Sequence, residues 1–439
     1  MSNANRTVRI GLIGLGTVGG GTARVILEHH DAYLDAFGVD LVIGRACALE
    51  PERARELELP EGAFTPDWRK VAEDPDIDIV VELIGGEHPA TDMIEAALEH
   101  GKHVVTANKA LLGRNMERLA RLAREHGVQL RCEASAGGGI PIVNALEHAL
   151  VANDALAIAG ILNGTTNYLL TRMADKGSEF ADVLADAQRL GYAEADPTAD
   201  VDGFDAASKV AILASIAFRS RVTTDDVFMQ GIRDISPADI EEAGRIGCTI
   251  KLLGIARRRD GGLDVRVHPA MVPATHMLAG VAGAMNAVYA VGDAVGETMF
   301  YGAGAGAFPT ASAVVGDILA LAGPLARGAA PEPEPEPFAR VLPICPIDEL
   351  ETRYYLRLED AAEAAAEDIA AAFAEAGVPV SSLAPRAASP RTLIVLTERA
   401  REDAVRRAIA AITAAGEARL GSLIRIEDVA AWAEGAKEN

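Results

Sequence analysis

Short apolar runs separated by amphipathic stretches dominate the first 150 residues. The runs predict buried strands at residues 8–13, from 41, and at 77–84, 103–106 and 128–132. The stretches at 90–100 and 109–126 have helical periodicity, and a further helix follows the first run. Strands that alternate with helices form parallel, doubly wound sheets. We therefore predict an α/β fold with a Rossmann-type sheet for residues 1–150.

Beyond residue 150 the pattern changes to a mixture of helices and strands. Helices are predicted near 178–190 and 203–219, and strands at 157–162, 263–272 and 286–301. This pattern predicts a separate α+β domain at residues 151–301. A glycine-rich segment then leads into an apolar helix, and we expect residues 302–325 to complete the first domain.

Alternating proline and glutamate mark a break in the chain. Residues 331–337 read PEPEPEP, which predicts a stiff, extended linker within residues 326–350. After the linker, the pattern predicts the order strand, helix, strand, strand, helix, strand. We therefore predict a small βαββαβ domain at residues 351–430.

The turn after the first strand reads GLGTVG and matches the GxGxxG pattern of dinucleotide sites. Its residues are Gly14, Leu15, Gly16, Thr17, Val18 and Gly19. The glycines permit a tight turn and a close approach of the pyrophosphate, which the helix N-terminus attracts. Glu50, after the second strand, is expected to bind a ribose 2′-hydroxyl and repel a 2′-phosphate, which favours NAD over NADP. Arg53 lies close enough to oppose that preference.

The chain of 439 residues carries a formal charge of −23. This charge argues against binding to nucleic acid or to anionic membranes, since both require basic surface. The four cysteines are far apart and form neither a disulfide framework nor a zinc motif, as is typical of cytoplasmic proteins. The polar N-terminus predicts no signal peptide, and we expect no apolar stretch of the ~18–20 residues that a membrane helix needs.

Residues 196–209 crowd carboxylates around the start of a predicted helix. Asp205 and Lys209 lie four residues apart, on one helical face, next to the apolar residues 210–214. A lysine held among acids on a buried face can transfer protons in catalysis. An ordinary surface ion pair has the same spacing and contributes only ~0.3–0.5 kcal/mol. The spacing alone leaves both interpretations open.

Five segments together resemble the homoserine dehydrogenase family, and the resemblance covers residues 8–325. The segments are 14–19, 106–109, 163–168, 191–209 and 302–317. Segment 191–209 is the most specific, because its acids and its lysine follow the family's order. The resemblance implies reversible hydride transfer between a nicotinamide and C4 of L-homoserine or L-aspartate 4-semialdehyde, in threonine, methionine and isoleucine biosynthesis.

The same resemblance implies roles for single residues. Lys209 would be the general acid and, in reverse, the base, while Asp205 would orient it or contact the substrate. Lys109 would lie between the nicotinamide and the substrate. The substrate-binding set would be Glu194 and Asp200, which hold the ammonium, with Tyr192, Gly164 and Thr165. Besides the glycine turn, the cofactor-binding set would be Glu50, Ile84, Thr106 and Lys109.

Residues 133–141 resemble the family's loop for a monovalent cation such as sodium. The implied ligands are the Glu133 carboxylate and the main-chain carbonyls of Ala136, Gly138 and Ile140. Such a set suits a hard cation. A glycine-rich crossover between domains needs no ion, so the sequence leaves both interpretations open.

Residues 352–427 resemble an ACT domain, a small regulatory unit. The Pro-Gly turn that shapes the effector pocket is missing, because residues 359–365 read EDAAEAA, which argues against feedback by threonine. A dimerising or purely structural role is an equal alternative. The family resemblance also implies a homo-oligomer, either a dimer or a tetramer.

Two other functions share parts of this pattern. One is a dehydrogenase of another amino-acid semialdehyde, and the other is a non-catalytic, nucleotide-dependent sensor. The presence of Lys109, Asp205 and Lys209 together argues against the sensor. Turnover of homoserine with either nicotinamide would separate all three.

Overall fold

The computed structural model describes residues 6–332, 338–361, 365–386 and 389–434. The chain forms two compact units. The first contains Met1–Ala152, Ala211–Asp225 and Phe300–Val341, and the second contains Asn153–Val210, Asp226–Met299 and Leu342–Asn439.

A six-stranded sheet lies at the centre of the first unit. Its strands are β1 Val8–Ile13, β2 Leu41–Cys47, β3 Phe64–Thr65, β4 Ile79–Glu82, β5 His103–Thr106 and β6 Leu130–Arg131. The helices of this part of the chain are α1 Thr17–Glu28, α2 His30–Phe37, α3 Pro51–Glu56, α4 Arg69–Ala72, α5 Ala90–Glu99, α6 Lys109–Glu125 and α7 Ile142–Asn144. The strand order is β3-β2-β1-β4-β5-β6, and every neighbouring pair is parallel. The predicted doubly wound, Rossmann-type sheet is confirmed.

The middle of the chain contributes strands of mixed direction. They are β7 Ala155–Ile161, β8 Phe228–Met229, β9 Cys248–Arg259, β10 Gly262–Pro273, β11 Met285–Gly292 and β12 Gly296–Ala303. Its helices are α8 Gly164–Lys176, α9 Phe180–Arg189, α10 Thr198–Val201, α11 Phe204–Phe218, α12 Pro237–Arg245 and α13 Ala307–Ala326. The α+β prediction is confirmed, but β9, α8 and α12 were not predicted from the sequence. β9 was not recognised because its central residues, 250–256, are all buried, so it does not alternate between buried and exposed positions.

Helix α13 contradicts one expectation from the sequence. Its 20 residues include a window of mean hydropathy 1.4, so among the described residues it is long and apolar enough to cross a membrane. The core helices of other proteins can be equally long and apolar, and 44% of this 18-residue stretch of α13 is buried. Val314, Ile318 and Leu321 belong to the buried core that also contains Ile10 and Ile26 of the first unit. The composition of α13 is therefore explained by its place in that core.

The C-terminal part of the second unit follows the predicted βαββαβ order. Its elements are β13 Glu351–Glu359, α14 Ala365–Glu375, β14 Val380–Arg386, β15 Ser389–Thr397, β16 Ala400–Arg401, α15 Glu402–Ala415 and β17 Arg419–Ile426. The strands have the order β17-β13-β15-β14, and each neighbouring pair is antiparallel. Ile369, Phe373, Val405 and Ile412 of the two helices are buried in one core with strand residues such as Leu356.

This C-terminal sheet is continuous with the middle sheet. β17 pairs in parallel with β10, with Ala270 opposite Arg425 and Met271 opposite Ile426. One sheet therefore runs through the second unit in the order β12-β11-β7-β9-β10-β17-β13-β15-β14. Two sequence-based statements, on the linker at 333–337 and on the loop at 362–364, concern residues outside the described part of the chain.

Candidate functional site

The glycine turn joins the end of β1 to the start of α1. Gly14 has a φ of +98°, which favours glycine, and a Cβ added at Gly19 would lie 1.9 Å from the Gly14 carbonyl oxygen. A Cβ at Gly16, in contrast, would meet no atom within 4 Å. Two glycines are therefore required by the fold, whereas Gly16 leaves open space at the N-terminus of α1. These features fit the pyrophosphate of a dinucleotide.

The remaining residues of the turn divide between the core and the surface. Leu15 is buried in the core of the first unit and Val18 packs against it, whereas Thr17 is exposed. Glu50 is exposed and lies in the loop between β2 and α3, three residues after the strand ends. That location is compatible with the predicted contact to a ribose hydroxyl.

A buried glutamate that the sequence analysis overlooked organises the ends of β4 and β5. Glu82 is fully buried, and its Oε1 accepts hydrogen bonds from the amides of Ile84, at 2.8 Å, and Gly85, at 3.3 Å. Its Oε2 accepts a hydrogen bond from Thr106 Oγ1 at 2.7 Å. Ile84 and Thr106, both predicted cofactor residues, are thus held by one carboxylate. A glutamate at the end of an otherwise apolar strand was the signal that could have revealed this role.

Lys109 is the first residue of α6, and the same network fixes the start of that helix. The amide of Asn108 donates to Thr106 Oγ1 at 3.0 Å, and Asn108 Oδ1 caps the helix by accepting from the Leu111 amide at 3.2 Å. Asn108 Nδ2 also donates to the Gly86 carbonyl at 2.6 Å. Lys109 therefore starts from a well-defined position at the end of β5, where α/β folds bind ligands. Its role at the substrate stays a prediction.

Asn163, Asp200, Asp205 and Lys209 come together at the end of β7 in the second unit. Lys209 Nζ donates to Asp205 Oδ2 at 2.8 Å and to the Leu162 carbonyl at 2.7 Å. Asn163 Nδ2 donates to Asp200 Oδ1 at 2.7 Å and to Asp205 Oδ2 at 2.9 Å. The side chains of Lys209 and Asp205 are each only 10% exposed, so the interpretation as an ordinary surface ion pair is wrong.

Asn163 was part of a recognised motif but had no assigned role. Besides bridging the two aspartates, its Oδ1 accepts from the Thr166 amide at 2.8 Å and caps α8. One buried amide thus fixes both the start of a helix and the spacing of two carboxylates. Asparagine can do this because it carries both an acceptor and two donors.

The other predicted substrate residues lie around the N-terminus of α8. Gly164 begins the helix, and a Cβ there would lie 2.7 Å from the Ala284 carbonyl oxygen. Thr165 Oγ1 donates to the Tyr192 carbonyl at 3.0 Å. The ring of Tyr192 is stacked on Tyr168 with centroids 4.6 Å apart, yet Tyr192 is half exposed.

Glu194 is exposed in the loop that leads to α10. The carbonyls of Glu194 and Ala195 accept hydrogen bonds from Gln188 Nε2, at 2.9 and 3.2 Å. Its backbone is therefore held while its carboxylate remains accessible.

The predicted cation loop is buried in the first unit. Glu133 Oε1 accepts from the Val143 amide at 2.9 Å, and Oε2 accepts from the Asn144 amide at 2.7 Å. Gly137 and Gly138 have positive φ, and a Cβ at Gly138 would lie 2.3 Å from the Gly304 carbonyl oxygen. The loop thus packs against the glycine-rich residues 302–306. Glu133 Oε2 also accepts from Asn144 Nδ2 at 2.6 Å, whereas Oε1 accepts one described hydrogen bond and keeps a second lone pair, which fits a hard cation.

Asp317 lies next to this loop and was not predicted. Its Oδ2 accepts from the Glu133 amide at 2.8 Å. Burial, together with the nearby Glu133 carboxylate, raises the pKa of Asp317 to about 7. Within the described residues, no group of three or more His, Cys, Asp or Glu side chains could hold a metal ion.

A cavity of about 700 Å³ lies elsewhere in the second unit. It is lined by Leu156, Arg257, Arg258, Arg259, Asp260, Gly261, Asp264, Leu350, Glu351, Arg399, Trp432 and Glu434. None of the predicted catalytic or substrate residues lines it. Its arginines are largely neutralised by ion pairs, such as that of Arg257 with Glu434 at 3.2 Å. The predicted proton-transfer residue Lys209 and this cavity are therefore separate features of the second unit.

Comparisons with known proteins show the family to which the chain belongs. A family model described as homoserine dehydrogenase matches residues 141–319, and one described as homoserine dehydrogenase, NAD binding domain, matches residues 14–133. The chain is 42% identical to a homoserine dehydrogenase of Neisseria gonorrhoeae over 93% of this chain and 96% of that protein. It is 41% identical to one of Pseudomonas aeruginosa over 96% of this chain and 98% of that protein.

Solved structures give the same result. The chain resembles a homoserine dehydrogenase from Thiobacillus denitrificans with a TM-score of 0.89 and 41% identity, over 97% of this chain and 99% of that chain. It also resembles a hyperthermophilic archaeal homoserine dehydrogenase mutant in complex with NADPH, with a TM-score of 0.62 and 25% identity, over 72% and 97% of the two chains. Because the relatives cover nearly the whole chain and the matched segments include the Lys209 site, the chain belongs to the homoserine dehydrogenase family.

Proposed function

We propose that this chain catalyses the reversible, nicotinamide-dependent interconversion of L-homoserine and L-aspartate 4-semialdehyde, with Lys209 as the proton-transfer group. The observation that carries the proposal is the placement of Lys209 Nζ, 2.8 Å from Asp205 Oδ2 and 2.7 Å from the Leu162 carbonyl. A buried lysine with this support is held in one orientation, as acid–base catalysis requires.

The nicotinamide, when bound, supplies or accepts the hydride. The task of the protein is to manage the proton on the substrate oxygen. An ammonium group has three N–H donors, and the two described contacts use two of them. The third can donate to the aldehyde oxygen as that oxygen gains negative charge. In the reverse direction the neutral amine would accept the proton of the homoserine hydroxyl.

The substrate is an amino acid, and the surroundings of Lys209 suit both of its charged groups. Asp200 and Glu194 supply carboxylates for the ammonium, which loses its water on binding. Gly164 and Thr165 lie in the first turn of α8, where main-chain amides favour the substrate carboxylate. Tyr192 lies over the same end of the helix and would cover the substrate.

The test of this proposal is a steady-state assay of Lys209→Met with homoserine and each nicotinamide. We expect kcat to fall by roughly 10²–10⁴-fold because the proton-transfer group is lost. The matched control is Lys176→Met, since Lys176 is exposed at the end of α8, and kcat should not change. A near-normal kcat in Lys209→Met would remove this lysine from the role. No turnover by the unaltered protein would contradict the whole proposal.

We further propose that the enzyme uses NAD in preference to NADP; the support is that Glu50 is exposed just after β2, and a carboxylate after the second strand of this fold repels a 2′-phosphate. Replacing Glu50 with Ala should raise kcat/KM with NADP relative to NAD by about tenfold, equivalent to one charge contact of ~1.4 kcal/mol. Glu52→Ala is the control, since Glu52 is also exposed but lies within α3. An unchanged ratio of the two kcat/KM values would mean that the ribose is recognised elsewhere.

The remaining proposals concern ions, assembly and regulation. We propose that Glu133 and the carbonyls of Ala136, Gly138 and Ile140 bind sodium or a similar cation. The donor types support this site. The test compares activity in NaCl with activity in tetramethylammonium chloride at equal ionic strength.

We also propose a cytoplasmic homo-oligomer, for which light scattering gives the mass. Titration of threonine against activity shows whether the ACT-like residues 351–430 bind that effector.

A further inference from the structure

One short segment links the C-terminal sheet to the acidic residues of the site. We call residues 228–233 the tie segment; they run from β8 toward α12. Gln230 Nε2 donates to the Leu423 carbonyl of β17 at 2.9 Å, and Gln230 Oε1 accepts from Arg425 Nη1 at 2.7 Å. The Arg425 guanidinium also lies 5.0 Å from the centre of the Phe228 ring. Strand β17 therefore holds the tie segment through the side chains of Gln230 and Phe228.

The anchor on the C-terminal side is rigid. Arg425 is fully buried, and Glu402 accepts two of its hydrogen bonds, at 2.9 and 2.5 Å. Phe228 is also in contact with Arg406, whose guanidinium lies 5.7 Å from the ring centre. A guanidinium held by two carboxylate oxygens keeps its plane and position fixed. Movement of β17 would consequently move Gln230 and Phe228 with it.

The other end of the tie segment holds α10, the short helix that carries Asp200. Arg233 Nε donates to Asp202 Oδ1 at 2.5 Å, and its Nη2 donates to Asp202 Oδ2 at 3.1 Å and to Thr198 Oγ1 at 3.4 Å. The Ile232 amide donates to the Val201 carbonyl at 2.9 Å. Both ends of α10 are thus bound to two consecutive residues of the tie segment.

The tie segment and the C-terminal end of α10 are in close backbone contact. A Cβ added at Gly231 would lie 2.3 Å from the Val201 carbonyl oxygen and 2.7 Å from the Cα of Asp202. A close backbone contact of this kind transmits displacement, since packed groups cannot compress. A shift of the tie segment must therefore shift α10, and with it Asp200, which Asn163 joins to Asp205 at 2.7 and 2.9 Å.

We propose that the tie segment positions Asp200 for the substrate's ammonium group, so that the C-terminal sheet sets the affinity for the amino-acid substrate. Arg233 and Gln230 are positioning residues that do not touch the substrate. This inference rests on the proposed function, in which Asp200 binds the ammonium. It gives the C-terminal residues a role in substrate binding that requires no effector.

The first test is Arg233→Met, which keeps an unbranched chain about as long as the arginine stem but removes the three hydrogen bonds of the guanidinium. We expect KM for homoserine to rise about 3- to 30-fold, the range typical of coupled positions, with KM for the nicotinamide unchanged. Arg233→Lys keeps one charged contact and should give an intermediate KM. The control is Arg407→Met, which removes an exposed Arg–Asp pair of 3.1 Å in α15 and should leave both KM values unchanged.

The second test combines substitutions at two positions of the tie segment, Gln230 and Arg233. Gln230→Met should also raise KM for homoserine, and the double variant with Arg233→Met should show less than the product of the two effects, because both act through one segment. Calorimetric binding of homoserine to the complex with reduced nicotinamide, which cannot accept a hydride from it, should give the same changes in Kd. Thermal unfolding midpoints identify variants that fold poorly.

The outcomes separate the possibilities. An unchanged KM for homoserine in Arg233→Met, or an equal rise of KM for both substrates, would overturn the inference while leaving the proposed function intact. Independent, multiplicative effects of the two substitutions would also overturn it. Failure of the unaltered protein to turn over or bind homoserine would instead contradict the proposed function on which the inference rests.

Discussion

Single buried polar side chains determine the geometry of the site more than the conspicuous charges do. Glu82 holds the ends of two strands, and Asn163 holds two aspartates and a helix start. The sequence indicated which acids and lysines were candidates. It gave no role to these two residues, because their partners are distant in sequence and a polar residue carries no trace of its partner.

At the residue scale, Lys251 shows another consequence of burial, which is a shifted pKa. It lies in β9, is 4% exposed, and donates to Asn167 Oδ1 at 3.2 Å and to the Val281 carbonyl at 2.5 Å. Burial lowers the pKa of Lys251 to about 8, compared with about 10.5 in the unfolded chain. Between these two pKa values the folded state therefore binds fewer protons than the unfolded state. The free energy of unfolding consequently increases as the pH rises from about 8 to about 10.5.

We expect Lys251→Met to remove that gain. In the unaltered protein, Lys251 should add up to about 3 kcal/mol to the free energy of unfolding between pH 8 and 10.5. The measurement is urea unfolding of both proteins across this range, compared as a difference so that other titrating groups cancel. Lys176→Met, which replaces an exposed lysine, is the control and should keep the full rise. Parallel curves for Lys251→Met and the unaltered protein would mean that Lys251 keeps its ordinary pKa when folded.

At the scale of elements, the predicted functional residues lie where strands end and helices begin. The turn from β1 to α1 is the predicted pyrophosphate site, the end of β5 leads into α6 at Lys109, and the end of β7 leads into α8 at Gly164. The first of these was fully predictable, because its glycine pattern lies within one turn. Lys109 and Gly164 were also named from the sequence, but the caps Asn108 and Asn163 that fix their helix starts were recognised only in the tertiary structure.

The glycines of the first turn should respond differently to the same substitution. Gly16→Ala adds a Cβ that meets no atom within 4 Å, so the fold should be preserved while the approach of the nucleotide is blocked. Gly19→Ala places a Cβ 1.9 Å from a carbonyl oxygen and should also lower the unfolding midpoint.

Nucleotide titration and thermal unfolding of both variants check this distinction. The control is Gly20→Ala in the same helix, whose nearest contact would be an ordinary 3.7 Å. Equal loss of stability in Gly16→Ala and Gly19→Ala would contradict the assignment of Gly16 to the ligand.

At the scale of the whole molecule, the C-terminal sheet is continuous with the middle sheet of the second unit. β17 completes the edge of β10, and buried charges cross the same boundary. Arg266 of β10 donates to Glu427 at 3.0 and 3.2 Å, and Asp239 of α12 accepts from Arg357 at 2.9 Å and from Ser422 at 2.7 Å. Removal of one side would leave the other side's charges buried without their partners.

A chain that ends at Val341 should therefore fold poorly. Loss of one partner from a buried charge pair typically costs about 3–5 kcal/mol, and several such pairs are lost together. We expect a much lower unfolding midpoint and a larger apparent size by gel filtration than the full chain. Arg407→Met, which disturbs only the surface of the same region, should behave as the full chain. A truncated chain with an unchanged midpoint would show that the middle sheet is stable without β17.

The sequence by itself determined most of the elements of this protein and the residue types predicted to do its chemistry. Local periodicity predicts helices and strands, and motifs such as GLGTVG and the order of Asp200, Asp205 and Lys209 are contiguous, so both are readable along the chain. Only the tertiary structure decided that β17 joins β10, that Asn163 bridges two acids, and that the tie segment reaches from Arg425 to Asp202. These features depend on contacts between residues far apart in the chain, and such contacts leave no period or spacing in a single sequence.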